Sequence, residues 1–340
     1  MSRVTNSPFR EFTHSRCSQM KIVFHGANAT SFVPGFAKII GSAHEIACVP
    51  DIPASAIDIA AFRDADVLIG IALNASHPKP QQLRLYQAPA AGVDAIDRVC
   101  LPVGAKLCCC FGHENAIAEY VMTALLLRHV PVPRADQDLR QGRWTHWAGA
   151  PNALRTELGD RSIGLLGFGH IGKVIAARAK AFGMHVTVAN RTPVPTGPLV
   201  DQAFGLDRLA DFMASADYVV CSLPALPATK SLVDAEALAA MRPDGVIVNV
   251  GRGPVIDEAA LFAALQQKRI GGAIVDTWYV YPSAGNPNPH PGNLPFHTLD
   301  NCVLSPHMSG WTVGTIRRRQ QTMADNITRL DKGEPLENVV

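Results

Sequence analysis

The stretch SIGLLGFGHIGKVIAARAKAF, residues 162–182, decides the fold. A short apolar run typical of a buried strand leads into a G-x-G-x-x-G motif, and a helix-like segment follows it. In that context the motif predicts a loop that holds the pyrophosphate of a dinucleotide, with the amides at the helix start facing the anion. The predicted cofactor-binding residues of the loop are Gly167, Phe168, Gly169, His170, Ile171 and Gly172. The alternative is a bare glycine turn between strand and helix.

The next strand-like run ends at Asn190, Arg191 and Thr192, where such folds place the residue that reads the cofactor ribose. An acidic residue there would hold the 2′-hydroxyl of NAD(H) and repel the 2′-phosphate of NADP(H). Because this sequence has an arginine and a threonine instead, it favours NADP(H), with NAD(H) possible. The alternative is that Arg191 is a solvated loop cation.

Strand-like and helix-like segments alternate on both sides of this loop. Continuous apolar strands between helices predict parallel sheets covered on both faces. The predicted fold class is therefore α/β, with two Rossmann-like domains, doubly wound parallel sheets and an active-site cleft between the domains. The strand-like runs are 21–26, 45–50, 65–73, 83–90 and 106–111, then 162–167, 185–189, 218–223, 246–250, 273–275 and 302–304.

The predicted domains follow from this alternation. We expect a substrate-binding domain from 21–115 and 312–340, and a dinucleotide-binding domain from 116–311. Residues 1–20 are predicted to be a loose N-terminal extension, since they carry Arg3, Arg10 and Arg16 without the apolar stretch of a secretory signal. A transit peptide and a natural start near Met20 both remain open.

Composition points to a globular protein with a small-molecule partner. The 340 residues are 47% hydrophobic and carry a formal charge of only +2, which offers no concentrated basic field for nucleic acid. No apolar run approaches the length of a membrane span, so a cytoplasmic protein is expected. The eight cysteines lack Cys-x-x-Cys spacing and are expected to be reduced and buried. The histidines lack short ligand spacing, and no metal site is predicted.

Three further motifs follow predicted strands, where ligands bind in open α/β sheets. They are Asn249-Val-Gly-Arg252-Gly-Pro-Val-Ile-Asp257, Val275-Asp276-Thr-Trp278 and Ser305-Pro-His307-Met-Ser-Gly310. Reduction of a 2-keto acid requires a cation to hold the carboxylate and polarise the carbonyl, and an acid to protonate its oxygen. Arg252 and His307 fit these two roles, although a loop salt bridge and a capped loop imidazole are the simpler alternatives.

With the glycine loop, these motifs resemble the D-isomer-specific 2-hydroxyacid dehydrogenase family. The resemblance extends from Lys21 to Val340 and includes Ala91-Gly-Val-Asp94, Ile117-Ala-Glu119, Gly142-Arg-Trp144, Leu223-Pro224 and Gly333-Glu-Pro-Leu-Glu-Asn-Val. It implies reduction of a small 2-keto acid such as glyoxylate or hydroxypyruvate. It also implies a homodimer formed through the stretch from Arg134 to Glu157, which carries Trp144 and Trp147.

The resemblance also implies residue roles. Asp276 would contact the nicotinamide amide, and the further expected cofactor contacts are Leu223, Pro224, Val250 and Gly310. The expected substrate-binding residues are Leu73, Asn74, Gly92, Arg252 and Trp311. Tyr281 stands where the family has the glutamate that pairs with the histidine, so it is the third expected catalytic residue.

Two other functions remain open at this stage. Formate dehydrogenases of the same superfamily also lack that glutamate and follow the histidine with x-Ser-Gly, as His307-Met-Ser309-Gly310 does here. Their formate-binding asparagine, however, is replaced by His113. The second alternative is a nucleotide-sensing regulator that kept the fold and lost turnover, for which the missing glutamate is the support.

Overall fold

A computed structural model describes residues 19–41, 44–150, 152–283 and 285–340. The chain divides into two compact units. The first unit takes the described residues up to Phe111 together with Arg317–Val340, and the second unit is Gly112–Ile316. The unit boundaries fall close to the expected domain boundaries without coinciding with them. Residues 1–18, most of the expected N-terminal extension, lie outside the described residues.

The first unit contains a five-stranded sheet of order β2-β1-β3-β4-β5, in which all paired strands are parallel. Apolar residues of β1 are buried and pair on one side with β2 and on the other with β3, so the strand order reverses at β1. The strands are β1 (Lys21–His25), β2 (Glu45–Val49), β3 (Val67–Ile69), β4 (Leu85–Gln87) and β5 (Lys106–Cys108).

The second unit contains a seven-stranded parallel sheet of order β12-β11-β10-β9-β6-β7-β8. Buried hydrophobic clusters cover both of its faces, as expected for strands that read as continuous apolar runs. The predicted α/β class with two parallel, Rossmann-like sheets is confirmed. The strands are β6 (Ser162–Leu166), β7 (His185–Asn190), β8 (Gln202–Gly205), β9 (Tyr218–Cys221), β10 (Val246–Asn249), β11 (Gly272–Val275) and β12 (Cys302–Leu304).

Ten α-helices lie in the described residues. None of them combines the length and apolarity needed to cross a membrane. The helices are α1 (Gly26–Thr30), α2 (Phe36–Ile40), α3 (Ala56–Arg63), α4 (Glu114–His129), α5 (Val132–Arg140), α6 (His170–Ala181), α7 (Leu209–Ala214), α8 (Ala235–Ala239), α9 (Glu258–Gln266) and α10 (Val313–Lys332).

Elements that differ from the sequence prediction include β8, α5 and β3. Strand β8 was not predicted, because Gln202-Ala-Phe-Gly205 is short, lies at the sheet edge and buries only Phe204. Helix α5 was not predicted either, since prolines at its start obscure the helical pattern although the first turn tolerates them. Strand β3 is shorter than expected: it ends before Gly70, where a Cβ would come within 1.9 Å of the His25 ring.

The cysteines only partly match the expectation. Cys108, Cys109 and Cys110 are buried, and burial raises the pKa of the Cys108 thiol to about 11 and that of Cys110 to about 12. Such thiols stay protonated and behave as small hydrophobic groups. Cys48, in contrast, is exposed, which corrects the prediction of uniformly buried cysteines. Cys17 lies outside the described residues.

Candidate active site

The glycine loop joins β6 to α6, as predicted. Gly167 has a φ of 98°, which favours glycine, and a Cβ on Gly172 would come within 2.4 Å of the Gly167 carbonyl oxygen. A Cβ on Gly169 would meet nothing within 4 Å, and Gly169 is the N-cap residue of α6, so the N-cap brings no side chain to the helix start. Open space thus lies beside the N-cap of α6, an arrangement that fits the pyrophosphate of a dinucleotide.

Asn190 ties the glycine loop to the turn after β7. Its Oδ1 accepts a hydrogen bond from the Phe168 N–H at 3.3 Å, and its Nδ2 donates to the Thr192 carbonyl at 2.9 Å. The Asn190 amide therefore braces the backbone on both sides, a role that the sequence did not predict. Arg191 and Thr192 are exposed beyond it, where a cation and a hydroxyl can meet a 2′-phosphate.

Arg252 stands on the loop that follows β10. The buried Asn249 shapes this loop: its Nδ2 donates to the Arg252 carbonyl at 3.1 Å, and its Oδ1 accepts from the Gly251 N–H at 3.2 Å. The guanidinium donates to the Gly251 carbonyl at 3.0 Å. A Cβ on Gly253 would come within 2.3 Å of the Trp278 carbonyl oxygen, so this loop packs directly on the loop after β11.

Tyr281 and His307 form a hydrogen-bonded pair. The phenol oxygen lies 3.0 Å from His307 Nδ1 and also accepts the Trp278 N–H at 3.0 Å. Burial raises the pKa of the Tyr281 phenol, partly offset by the Trp278 hydrogen bond and by the nearby charge of Arg252. The phenol is therefore neutral at neutral pH. It can donate to an unprotonated Nδ1 or accept from a protonated one, so it can hydrogen-bond to both states of the ring.

Asp276 holds the loop that carries His307. This carboxylate is fully buried at the end of β11 and accepts hydrogen bonds from Ser305 Oγ at 2.5 Å, Met308 N at 2.9 Å and Ser309 N at 2.9 Å. The family resemblance implied that Asp276 contacts the nicotinamide amide. In the structure its oxygens are engaged by the protein's own loop, and the contact with the cofactor remains a prediction.

One residue of this network was not predicted at all. Tyr120 lies on α4, and its hydroxyl is 2.6 Å from Ser305 Oγ. It directly follows the Ile117-Ala-Glu119 segment of the family resemblance. No spacing rule relates position 120 to position 305, so only the fold reveals this contact.

The other predicted cofactor residues line the same edge of the sheet. Leu223 packs against Gly167 of the glycine loop and against Gly251 of the loop after β10. A Cβ on Gly167 would come 2.9 Å from Leu223 Cδ2, and a Cβ on Gly251 would come 2.5 Å from the Leu223 carbonyl oxygen. The Pro224 carbonyl accepts from Thr229 Oγ1 at 2.6 Å, and Val250 is buried. A Cβ on Gly310 would meet His113 at 3.3 Å, so these two residues are in contact.

The predicted substrate-binding residues fall in both units. In the first unit, the Leu73 N–H donates to the Ala95 carbonyl at 3.0 Å and the Asn74 N–H to His77 Nδ1 at 3.2 Å. Both amides expected to meet a substrate therefore already have acceptors within the unit. Gly92 is partly buried, and Trp311 in the second unit is 47% exposed. Their role in substrate binding stays a prediction.

No group of three or more His, Cys, Asp and Glu side chains among residues 19–41, 44–150, 152–283 and 285–340 is placed to hold a metal ion. The site instead presents amides, a cation and an imidazole at the carboxyl ends of parallel strands. A doubly wound sheet with such a glycine loop is a dinucleotide-binding domain.

A family model described as D-isomer specific 2-hydroxyacid dehydrogenase, NAD binding domain, matches residues 122–309. Because the match covers more than half of the 340 residues, the chain belongs to the D-isomer specific 2-hydroxyacid dehydrogenase family of NAD(P)-dependent oxidoreductases. The resemblance predicted from the sequence is confirmed.

The relatives differ in length and in name. D-3-phosphoglycerate dehydrogenase of Methanocaldococcus jannaschii is 28% identical over 292 residues, which are 82% of this chain and 52% of that protein. The chain thus spans about half the length of the relatives of this name that it matches.

Solved structures match over nearly the whole chain. A D-isomer specific 2-hydroxyacid dehydrogenase from Xanthobacter autotrophicus Py2, in complex with NADPH and MES, is 25% identical, covers 95% of this chain and 98% of its own, and has a TM-score of 0.75. An NADPH-dependent glyoxylate/hydroxypyruvate reductase from Sinorhizobium meliloti, in complex with NADP and malonate, is 25% identical and has a TM-score of 0.73. The match covers 95% of this chain and 97% of the reductase chain.

Proposed function

We propose that this protein reduces a small 2-keto acid, such as glyoxylate or hydroxypyruvate, to the 2-hydroxy acid with NADP(H). One observation carries the proposal. Tyr281 is hydrogen-bonded to His307, and burial raises the pKa of its phenol while the nearby charge of Arg252 opposes that rise. An acid–base group and a cation therefore lie close to one residue, beside the loops that follow β10, β11 and β12.

The residues of the chain then have distinct tasks. The bound cofactor supplies a hydride from its nicotinamide ring. Arg252 holds the substrate carboxylate and polarises the carbonyl with its planar fork of N–H donors. His307, protonated, gives a proton to the carbonyl oxygen as the C–H bond forms, so that C=O becomes CH–OH. Because Nδ1 is hydrogen-bonded to Tyr281, we assign the proton transfer to Nε2.

The preference for NADP(H) is supported by the end of β7. Positions 190–192 contain no acidic residue, and Arg191 is exposed there. The relative from Sinorhizobium meliloti is named as NADPH-dependent and as acting on glyoxylate and hydroxypyruvate. The similarity to relatives named D-3-phosphoglycerate dehydrogenase makes a phosphorylated substrate the second candidate.

A substrate panel tests the proposal. Oxidation of NADPH and of NADH is followed at 340 nm with glyoxylate, hydroxypyruvate, pyruvate and 3-phosphohydroxypyruvate, and formate is assayed with NADP⁺ in the opposite direction. We expect turnover with glyoxylate or hydroxypyruvate and a higher kcat/KM with NADPH. Activity confined to formate would support the formate dehydrogenase alternative. Cofactor binding without any turnover would support the regulator, and either result would overturn the proposal.

A further inference from the structure

His307 has an unusual backbone conformation. Its φ of 57° lies in the left-handed region, which non-glycine residues adopt only when surrounding contacts hold them there. The residue lies on the loop that follows β12. The contacts that hold this loop therefore help to fix the position of the imidazole.

Asp276 supplies these contacts on both sides of the histidine. Ser305 precedes His307 and donates from Oγ to Asp276 at 2.5 Å, while the Met308 and Ser309 N–H groups follow it and donate at 2.9 Å each. One buried carboxylate thus holds the loop before and after the strained residue.

Tyr120 completes the arrangement from a separate helix. Ser305 has a single hydroxyl proton, which it donates to Asp276, so at 2.6 Å it accepts the proton of the Tyr120 hydroxyl. The Ser305 carbonyl also accepts the Trp278 Nε1–H at 2.7 Å. The hydrogen bonds therefore run in one direction, from Tyr120 through Ser305 to Asp276.

We propose that Tyr120, Ser305 and Asp276 act as positioning residues that fix the orientation of His307. Three donors from the chain reach the Asp276 carboxylate, so holding this loop is one of its tasks. The inference rests on the proposed function for its kinetic consequences, but the geometry of His307 can be measured without any substrate.

The kinetic test compares Tyr120→Phe and Ser305→Ala with the conservative Ser305→Thr. The first two break the chain of hydrogen bonds, and we expect kcat for keto acid reduction to fall by roughly tenfold while KM for NADPH changes less than about twofold. Ser305→Thr keeps the hydroxyl and should retain most of kcat. The matched control is Tyr218→Phe, which removes a hydroxyl that lies 2.6 Å from His129 Nε2. Tyr218 is the first residue of β9, whereas the candidate site lies at the carboxyl ends of the strands.

The second readout is independent of activity. In protein labelled with ¹⁵N-histidine, the ring signals of His307 are assigned by their loss in His307→Asn. We expect Tyr120→Phe and Ser305→Ala to shift or broaden these signals, and Ser305→Thr and Tyr218→Phe to leave them as in the parent.

The two readouts separate the two ideas. If the parent reduces no keto acid but the signals change as expected, the proposed function fails and the positioning role stands. If Tyr120→Phe and Ser305→Ala retain both the parental kcat and the parental ring signals, the positioning role is wrong. If Tyr120→Phe and Ser305→Ala lose kcat and cofactor affinity equally and have a lower Tm, the hydrogen bonds only stabilise the fold. That result would also overturn the positioning role.

Discussion

The phenol oxygen of Tyr281 lies 3.0 Å from Nδ1 of His307. A neutral hydroxyl thus occupies the position in which the family resemblance implies a carboxylate. Burial raises the pKa of the phenol, so it brings no negative charge to the pair near neutral pH. The protonated imidazole consequently receives a hydrogen bond acceptor at Nδ1 but no opposite charge from residue 281.

This pairing predicts how the rate responds to pH. In the proposed reaction, reduction needs the protonated form of His307, so we expect kcat/KM to fall as pH rises through the apparent pKa of the rate profile. Tyr281→Glu would place a carboxylate beside the ring and favour its charged form. We expect the apparent pKa of the rate profile to rise by roughly one unit or more. The measurement is kcat/KM for keto acid reduction from pH 5 to 10.

Two variants control this experiment. Tyr281→Phe removes the hydrogen bond without adding charge, so it should lower the rate without moving the profile upward. His307→Ala should abolish the titration. If His307→Ala keeps the parental rate and profile, the proton donor is another group, and the role given to His307 is wrong.

Cofactor selection should depend on Arg191. The exposed guanidinium can pair with a 2′-phosphate of charge about −2, and an aspartate would repel it. Arg191→Asp is expected to lower kcat/KM with NADPH by roughly 10²-fold and to affect NADH far less. Arg242→Ala serves as the control, because Arg242 is an exposed arginine of the same unit that pairs with Asp244. If the unmodified protein has an equal or higher kcat/KM with NADH than with NADPH, the predicted preference for NADPH is wrong.

Removal of the Arg252 guanidinium should affect the chemical step. Arg252→Ala removes the cation that we propose to hold the substrate carboxylate and polarise the carbonyl, so kcat/KM should fall on the order of 10²-fold or more. Arg252→Lys keeps the charge but not the planar fork and should recover only part of the rate. Fluorescence titration with NADPH should give nearly parental binding for both variants. Near-normal turnover of Arg252→Ala would exclude this residue from the mechanism.

The parts of this protein that the sequence predicts well are those decided by local pattern. Strand β10 is buried at every position and reads as an apolar run, and the glycine loop has a spacing that only a close strand-to-helix turn requires. Strand β8 escaped prediction because an edge strand with one buried residue has no such pattern.

The supporting residues of the site could not be predicted for a different reason. Tyr120 and Ser305 are 185 positions apart and meet only because α4 packs near the end of β12. Asn190 illustrates the same limit. The sequence identifies its position as the ribose-reading one, yet the oxygen and the nitrogen of its side-chain amide both form hydrogen bonds with backbone groups. Local sequence indicates which residues are near the chemistry, whereas the hydrogen bonds that fix them depend on the complete fold.

Self-association is expected through the stretch from Arg134 to Glu157. Its described part exposes Trp144 and Trp147 by 67% and 55%, and large exposed aromatic side chains are typical of interfaces. We expect light scattering at micromolar concentration to give the mass of a homodimer. Trp144→Asp combined with Trp147→Asp should shift the mass toward the monomer, and a monomeric parent protein would contradict this prediction.

A buried histidine should make the protein sensitive to acid. His25 is 2% exposed at the end of β1, and its Nε2 lies 2.6 Å from the Tyr86 hydroxyl. Burial lowers its pKa from 6.5 to about 4; His77 adds to this effect, and a hydrogen bond with the Asp51 backbone opposes it. The ring is therefore neutral in the folded protein at pH values at which it is already protonated in the unfolded chain.

This difference has a definite sign. Between pH 6.5 and about 4 the unfolded chain binds the proton and the folded one does not, so the free energy of unfolding falls as pH is lowered through that range. Protonation of His25 alone lowers the free energy of unfolding by about 3 kcal/mol, and this loss is complete below the pKa of His25 in the folded protein. Urea denaturation from pH 4 to 7 measures it. His25→Gln should flatten the pH dependence, even if it lowers stability overall. An unchanged slope in His25→Gln would show that other groups cause the acid sensitivity.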